Sequence, residues 1–121
     1  MQRLLNILLV LIFLASGGAK LAALDFEVAA FTRWGFPLWF MTLTGVLEVA
    51  GAVGLLMHRL AALAAGCLAL LMLGAIATHV LHAEWLMLIL ATAICAAAAW
   101  RSWLGRQELR ALAKSLTHGK T

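Results

Sequence analysis

Three ionisable side chains, Lys20, Glu48 and His79, lie inside long apolar stretches of the chain. A charged side chain at the centre of a bilayer costs about 2.5–3.5 kcal/mol on insertion scales, so each should face a partner or a wet cavity. Carboxyl, amine and imidazole groups in such a setting can hold and relay protons. These residues therefore form our candidate catalytic, proton-handling site. The competing interpretation is that they only anchor one helix to another.

Glu48 is the deepest of the three, roughly 16 Å from the nearer end of its segment at 1.5 Å per residue. Thr44 and Gly51 lie about one turn on either side of it, on the same helical face. Lys20 lies only roughly 6 Å from its end, with Ser16 one turn deeper, and its long stem could instead reach the headgroups. A direct Lys20–Glu48 ion pair would have to bridge a depth difference of roughly 10 Å.

His79 and His82 are spaced i,i+3, which permits one shared ligand. A histidine near an interface more often makes an ordinary hydrogen bond, and we predict no metal site. Glu84 lies at the start of the next apolar segment, at the same membrane depth as His79 and His82. We expect Lys20, His79, His82 and Glu84 to form a polar layer above Glu48, as one site open to the outer face. The candidate cofactor contacts are Thr44, Gly51, Met72, His82 and Glu84.

The amino-acid composition indicates whether this chain is surrounded by water or by lipid. Of its 121 residues, 65% are hydrophobic and 12% are charged, whereas a soluble domain has about 45–50% and 25%. Such a chain cannot cover a core with polar surface, so we predict a membrane protein. The net charge of +4 is concentrated near one end, which indicates membrane topology and no nucleic-acid partner. Cys67 and Cys95 form no CxxC pair and are expected to act as small apolar residues.

Four apolar segments reach the roughly 20 residues that a spanning helix requires. They cover residues 4–24, 37–57, 60–81 and 85–104. We predict an all-α, antiparallel bundle of four transmembrane helices over residues 1–104, in which residues 25–36 form a loop. The first segment is too long and too charged, at Lys20, for a cleaved signal peptide. The tail, residues 105–121, is basic, and both an interfacial amphipathic helix and a frayed tail remain open.

The distribution of basic residues predicts both termini on the cytoplasmic side. With the N-terminus inside, Arg33 is the basic residue of the outer loops, and Lys20 lies near the outer end of the first helix. The inner segments hold Arg3, Arg59, Arg101, Arg106, Arg110, Lys114 and Lys120. Small residues in the second and third segments, such as Gly45, Gly51 and Ala65, indicate close helix packing in lipid.

Several stretches resemble the DoxX-like family of small membrane proteins. They are FLASGGAKL (residues 13–21), GFPLWFMTLTGVLEVAGAVGLL (35–56) and LMLGAIATHVLH (71–82). The resemblance covers residues 4–82 and a fourth helix without a motif. It implies a four-helix bundle in a bacterial cytoplasmic membrane and a link to membrane redox chemistry. The family-type positions are Lys20, Gly45, Glu48, Gly51 and His79.

Three functions remain open at this point. The leading one is an accessory subunit of a quinone-linked membrane redox system, with quinone as the candidate cofactor and at most a subunit's part in catalysis. The others are a non-enzymatic assembly or scaffold protein and a component of a small proton-coupled transporter. We expect the lipid bilayer and membrane proteins as partners, with homo-oligomerisation also open. The expected location is the inner membrane.

Overall fold

The computed structural model describes residues 2–118, and side chains from Arg3 to Thr117. This part of the chain is helical apart from short turns and contains no strand. The six helices are α1 (Gln2–Leu21), α2 (Asp25–Arg33), α3 (Leu38–Leu56), α4 (Ala61–Leu81), α5 (Trp85–Leu104) and α6 (Arg106–His118). Four of them, α1, α3, α4 and α5, are long and apolar enough to cross a membrane.

The predicted loop over residues 25–36 is wrong for most of its length, because α2 occupies Asp25–Arg33. Its charges favour a helix: Asp25 and Glu27 lie in the first turn and Arg33 in the last, which complements the helix dipole. Pro37 is the N-cap of α3 and not part of its first turn. In the tail, α6 is a helix, while Lys120 lies outside the described residues.

The four long helices form two tightly packed pairs, α1 with α3 and α4 with α5. Glycines allow the backbones of the first pair to touch: a Cβ added to Gly17 would lie 2.8 Å from the Gly45 carbonyl oxygen. In the second pair, Ser102 Oγ on α5 donates a hydrogen bond to the Ala62 carbonyl on α4 at 2.9 Å. Close packing of small residues replaces the hydrophobic effect that is missing between helices in lipid.

The pairs join at the end of the bundle next to α6, which we call the α6 end. There a Cβ added to Gly54 of α3 would lie 2.8 Å from the Ala64 Cβ of α4. The buried core is shared by all four long helices: Leu9, Val10, Phe13, Ala52, Leu55, Ala64, Ala65, Leu68, Ala69 and Ala98. The opposite end carries α2 and the α4–α5 turn, and we call it the α2 end. The large apolar residues on the outside of the long helices suit contact with lipid chains.

Two turns at the α2 end place an alanine in the left-handed backbone region, Ala23 at φ 52° and Ala83 at φ 54°. After α4, the Glu84 N–H donates to the His79 carbonyl and the Ala83 N–H donates to the Val80 carbonyl. This pair of hydrogen bonds is the Schellman motif that ends many helices. Because the motif turns the chain back on itself, Glu84 lies beside His79 although five residues separate them.

Candidate functional site

Lys20 forms two ion pairs inside the protein, with carboxylates from two other helices. Its Nζ lies 2.9 Å from Glu48 Oε1 on α3 and 3.0 Å from Glu27 Oε2 on α2. Nζ also donates a hydrogen bond to Ser16 Oγ, one turn back on α1, at 2.8 Å. All three charged side chains are buried. We call these residues, Ser16, Lys20, Glu27 and Glu48, the lysine cluster.

The ion pair between Lys20 and Glu48 forms in spite of the depth difference estimated from the sequence. A Cβ added to Gly45 would lie 2.9 Å from the Lys20 Cβ, so Gly45 is level with the lysine. Glu48 is one turn deeper on α3, which is within reach of the lysine side chain. The glycine contact between α1 and α3 therefore aligns the two charges, and the lysine does not need to reach toward the headgroups.

The lysine cluster has an excess of acceptors over donors. Two carboxylates surround one ammonium group, and the Oε2 atom of Glu48 is buried with no hydrogen-bond partner among the described residues. A buried oxygen without a partner carries a desolvation cost of about 1–3 kcal/mol or more. The cluster is thus suited to bind a hydroxyl group or a proton at Glu48 Oε2.

His79 belongs to a second network, which joins α4 to the end of α2. Its Nδ1–H donates to Glu84 Oε1 at 2.9 Å, and the Trp34 Nε1–H donates to the same oxygen at 2.9 Å. Arg33 pairs with the other carboxylate oxygen, Oε2. Burial raises the pKa of Glu84, but these hydrogen bonds and the Arg33 charge outweigh it and lower the pKa to about 2.

A cavity of about 680 Å³ connects the two networks at the α2 end of the bundle. Its polar lining comes from the lysine cluster, His79, Trp34, Thr44 and Thr78. The rest of its wall is apolar, with aliphatic and aromatic residues from all four long helices and α2. Clefts of about 300–1,000 Å³ with apolar walls and a few convergent polar groups are typical small-molecule sites.

Most of the residues predicted from the sequence lie at the cavity. Lys20, Glu48, His79, Thr44 and Met72 all line the cavity, and Glu84 is joined to it through His79.

Three predicted cofactor contacts do not line the cavity: Glu84, which is joined to it through hydrogen bonds to residues of its wall, and Gly51 and His82. Gly51 does not face the cavity but packs against Leu68, since an added Cβ would lie 2.5 Å from a Leu68 methyl carbon. His82 is exposed, and its ring donates to the Thr78 carbonyl of its own helix. The single polar layer is therefore two networks around one cavity, without His82.

Three residues of the site, Glu27, Arg33 and Trp34, were missed because the segment that carries them was interpreted as a loop. The signal that could have found Glu27 is the buried lysine itself, because a cation at that depth requires an anion and Glu27 is seven residues away. Nothing in the sequence alone pairs Arg33 with Glu84, because that contact depends on how α2 lies across the bundle.

Another buried polar cluster lies at the α6 end. Arg101 Nε donates to Asn6 Oδ1, Asn6 Nδ2 donates to the Leu55 carbonyl at 2.9 Å, and Arg101 lies 3.8 Å from Glu108 of α6. We call Asn6, Arg101 and Glu108 the arginine cluster. These side chains are absent from the lining of the large cavity, and they link α1, α3, α5 and α6.

Comparison with known proteins identifies relatives by sequence. The chain is 38% identical over 85 residues to a protein of Bacillus subtilis (strain 168) named "Uncharacterized protein YdgD", which covers 67% of this chain and 75% of the relative. No solved structure matches the chain. The profile of the DoxX-like family matches residues 4–102, which include nearly all of the four candidate membrane spans and the whole lysine cluster. The chain therefore belongs to the DoxX-like family.

Proposed function

We propose that this DoxX-like protein is an accessory subunit of a quinone-linked redox system in a bacterial inner membrane, and that it binds the quinone headgroup in the cavity at the α2 end. The observation that carries the proposal is the buried, unpartnered Oε2 atom of Glu48 in a residue that lines a cavity of about 680 Å³. Within the described part of the chain, Glu108 of the arginine cluster also has an unpartnered oxygen, but the space that it lines measures only about 150 Å³. A lipid-soluble ligand with one polar end fits that combination better than a metal ion or a sugar.

The residues of the cavity fit a quinone headgroup. Phe31, Phe36 and Phe40 form an aromatic group with ring centroids 5.1 to 6.4 Å apart, which suits an apolar ring. A rotation of the Glu48 side chain that turns Oε2 into the cavity would let the carboxylate accept a hydrogen bond from a ring hydroxyl, or the protonated acid donate to a ring carbonyl. The volume of about 680 Å³ also leaves space for part of a hydrocarbon tail.

The lysine cluster would handle protons, and the electrons would leave through another protein. A quinol bound there would supply two electrons and two protons; the electrons would pass to a redox centre of the partner, and the two protons would leave one after the other through Glu48. Glu48 accepts a proton at Oε2, and Lys20 stabilises the carboxylate before that transfer. Glu27, the second carboxylate on Lys20, lies on α2 and extends the path toward that end of the bundle.

Trp34 provides a direct test because its ring lines the cavity. Purified protein in detergent is titrated with a decyl-tailed benzoquinone, and tryptophan fluorescence is recorded for the native chain and for Trp34→Phe. We expect saturable quenching that is largely lost in Trp34→Phe. Glu48→Gln should weaken binding by about tenfold or more, the effect of losing one charged hydrogen bond.

The matched control is Glu108→Gln, which changes the carboxylate of the arginine cluster and should leave quinone binding within about twofold. Absence of saturable quenching in the native chain would refute the proposal. Stable co-purification of a client protein without quinone binding would support the scaffold function. Proton-coupled uptake into liposomes that is lost in Glu48→Gln would support transport.

We further propose that both termini face the cytoplasm, as the basic residues predict. Arg106, Arg110 and Lys114 lie on α6, next to the α6 end of the bundle, and this end would contact the cytoplasmic leaflet. A fluorescent C-terminal fusion of green fluorescent protein, together with an inactive alkaline phosphatase fusion at the same site, would support this topology. The reverse pattern would overturn it and place the cavity at the cytoplasmic side.

A further inference from the structure

The cavity is bounded differently on its two sides. On the side between α3 and α4, Trp34 packs against aromatic rings at the α2 end. Its ring lies 5.5 Å from the His79 ring and 6.4 Å from the Phe36 ring, and its Nε1–H is held by Glu84. Arg33 adds an ion pair to the same carboxylate. This side is narrowed by aromatic rings but not fully closed, since the cavity-lining Phe40 is 38% exposed, and its wall carries the hydroxyl groups of Thr44 and Thr78.

On the side between α1 and α5, the helices are joined toward the α6 end. There Arg101 is hydrogen-bonded to Asn6, and Leu9 and Ala98 lie in the shared core. Closer to the α2 end, the cavity wall on this side consists of apolar side chains that are exposed on the outside of the bundle. They are Ile12 of α1, Phe26 of α2, and Met87 and Leu90 of α5.

These exposures show where the cavity reaches the surface. Phe26 is 65% exposed and Leu90 is 49% exposed, yet both also line the cavity. A side chain that contacts both the interior space and the outside lies on the rim of an opening. Because this rim is apolar and lies along helices that would cross the membrane, the opening faces hydrocarbon chains.

We infer that the seam between α1 and α5 is a lateral opening to the lipid, through which the hydrocarbon tail of the ligand leaves the cavity. The inference rests on the proposed function, because the polar head of that ligand is placed at Glu48. It restricts the substrate class to lipid-soluble molecules with one polar, hydrogen-bonding head and a long unbranched or polyprenyl tail. The tail then remains in the bilayer while the head exchanges its proton, so the ligand never has to enter water.

A photoactivatable tail tests this path directly. The probe is a dimethoxy-methyl-benzoquinone with a decyl tail that ends in a diazirine, added to protein in lipid nanodiscs and irradiated. We expect the labelled peptides to come from α1 and α5, around Ile12, Met87 and Leu90. Labelling that is concentrated on the facing residues of α3 and α4, or spread evenly over all helices, would overturn the lateral opening.

A pair of leucines in α5 provides a second, independent measurement. Leu90 lies on the rim, whereas Leu86, one turn away and 70% exposed, is absent from the cavity lining. Leu90→Trp should weaken binding of the decyl-tailed quinone about tenfold, equivalent to burying two methylene groups fewer. The tailless headgroup should bind both Leu90→Trp and Leu86→Trp within about twofold of the native chain.

The two proposals fail in different ways. If neither the tailed nor the tailless quinone quenches Trp34, the proposed function is refuted. If both bind equally well to the native chain and to Leu90→Trp, the headgroup site survives and the lateral opening is refuted.

Discussion

The lysine cluster and the arginine cluster solve the same problem at opposite ends of one bundle. Each holds a buried cation, Lys20 or Arg101, that is paired with carboxylates from other helices. The arginine cluster has one carboxylate and a neutral amide, and it lies between helices that are packed together. The lysine cluster has two carboxylates, and it lines a cavity of about 680 Å³. A cation with a single carboxylate beside a small space suits a structural joint, whereas a cation with two carboxylates beside a large cavity suits a binding site.

The largest effect should come from removing the two cations. Lys20→Met leaves two buried carboxylates without a cation, and we expect it to destabilise the protein by about 3–5 kcal/mol. Arg101→Met leaves a single, partly exposed carboxylate, and the loss should be smaller, about 1–3 kcal/mol. Unfolding in detergent, followed by circular dichroism, measures both. Adding Glu48→Gln to Lys20→Met should restore part of the stability. Equal losses of unfolding free energy in Lys20→Met and Arg101→Met would contradict the comparison between the two clusters.

A smaller effect is expected from the glycine contact that supports the lysine cluster. In Gly45→Ala, the new methyl group would lie 2.9 Å from the Lys20 Cβ and 3.0 Å from the Gly17 carbonyl oxygen. Overpacking of this kind lowers the free energy of unfolding by about 1–3 kcal/mol. It should also weaken quinone binding, because the new methyl group displaces Lys20.

Gly74→Ala is the matched control for this change, since an added Cβ at Gly74 meets nothing within 4 Å. The two variants are compared by melting temperature, and Trp34 quenching compares Gly45→Ala with the native chain, because Gly74 itself lines the cavity. A loss in Gly74→Ala as large as that in Gly45→Ala would mean that the effect is not due to the α1–α3 contact.

The network around Glu84 adds a pH dependence to the stability of the α2 end. Because the folded state lowers the pKa of Glu84 from 4.5 to about 2, its stabilisation is complete above about pH 5 and is lost as the pH falls toward 2. We expect about 1–2 kcal/mol after solvent screening. Melting temperatures of the native chain and Glu84→Gln should converge as the pH falls, and a constant difference down to about pH 2 would contradict this.

The smallest effect concerns the turn that positions Glu84. Ala83 adopts φ 54°, a left-handed conformation that costs a residue with a Cβ about 1 kcal/mol. Ala83→Gly should therefore stabilise the protein slightly, by up to about 1 kcal/mol, and raise its melting temperature. Ala22→Gly, at a neighbouring turn of the same end but before Ala23, has no left-handed strain to relieve and should be neutral or destabilising. A lower melting temperature for Ala83→Gly would contradict the strain.

The sequence predicted the spanning helices well because length and hydropathy alone determine them. The predicted 60–81 and 85–104 agree closely with α4, Ala61–Leu81, and α5, Trp85–Leu104. The four-helix, all-α class is confirmed, as is membership of the DoxX-like family. The short α2 was missed because nine residues with three charges carry no spanning signal.

The site was predicted in part for a related reason. Glu48, Lys20 and His79 were identifiable one by one, because each is expensive in hydrocarbon. Their grouping depends on how far α1 slides along α3, and that offset is set by the contact between Gly17 and Gly45. The same limit applies to Arg101, which was interpreted only as a topology signal. Its buried position depends on Asn6, almost the full length of the chain away.

The hydrogen bond between Lys20 and Ser16 has a consequence for biosynthesis. Glu27 and Glu48 follow the lysine in the chain, the second by roughly thirty residues, so at roughly 5–20 residues per second the ribosome delivers it on the order of seconds later. Because α1 leaves the ribosome before α3, the ammonium group reaches the membrane ahead of its deeper carboxylate. The serine one turn earlier is already synthesised, and it accompanies the cation through the translocon as the first polar partner that the nascent helix provides.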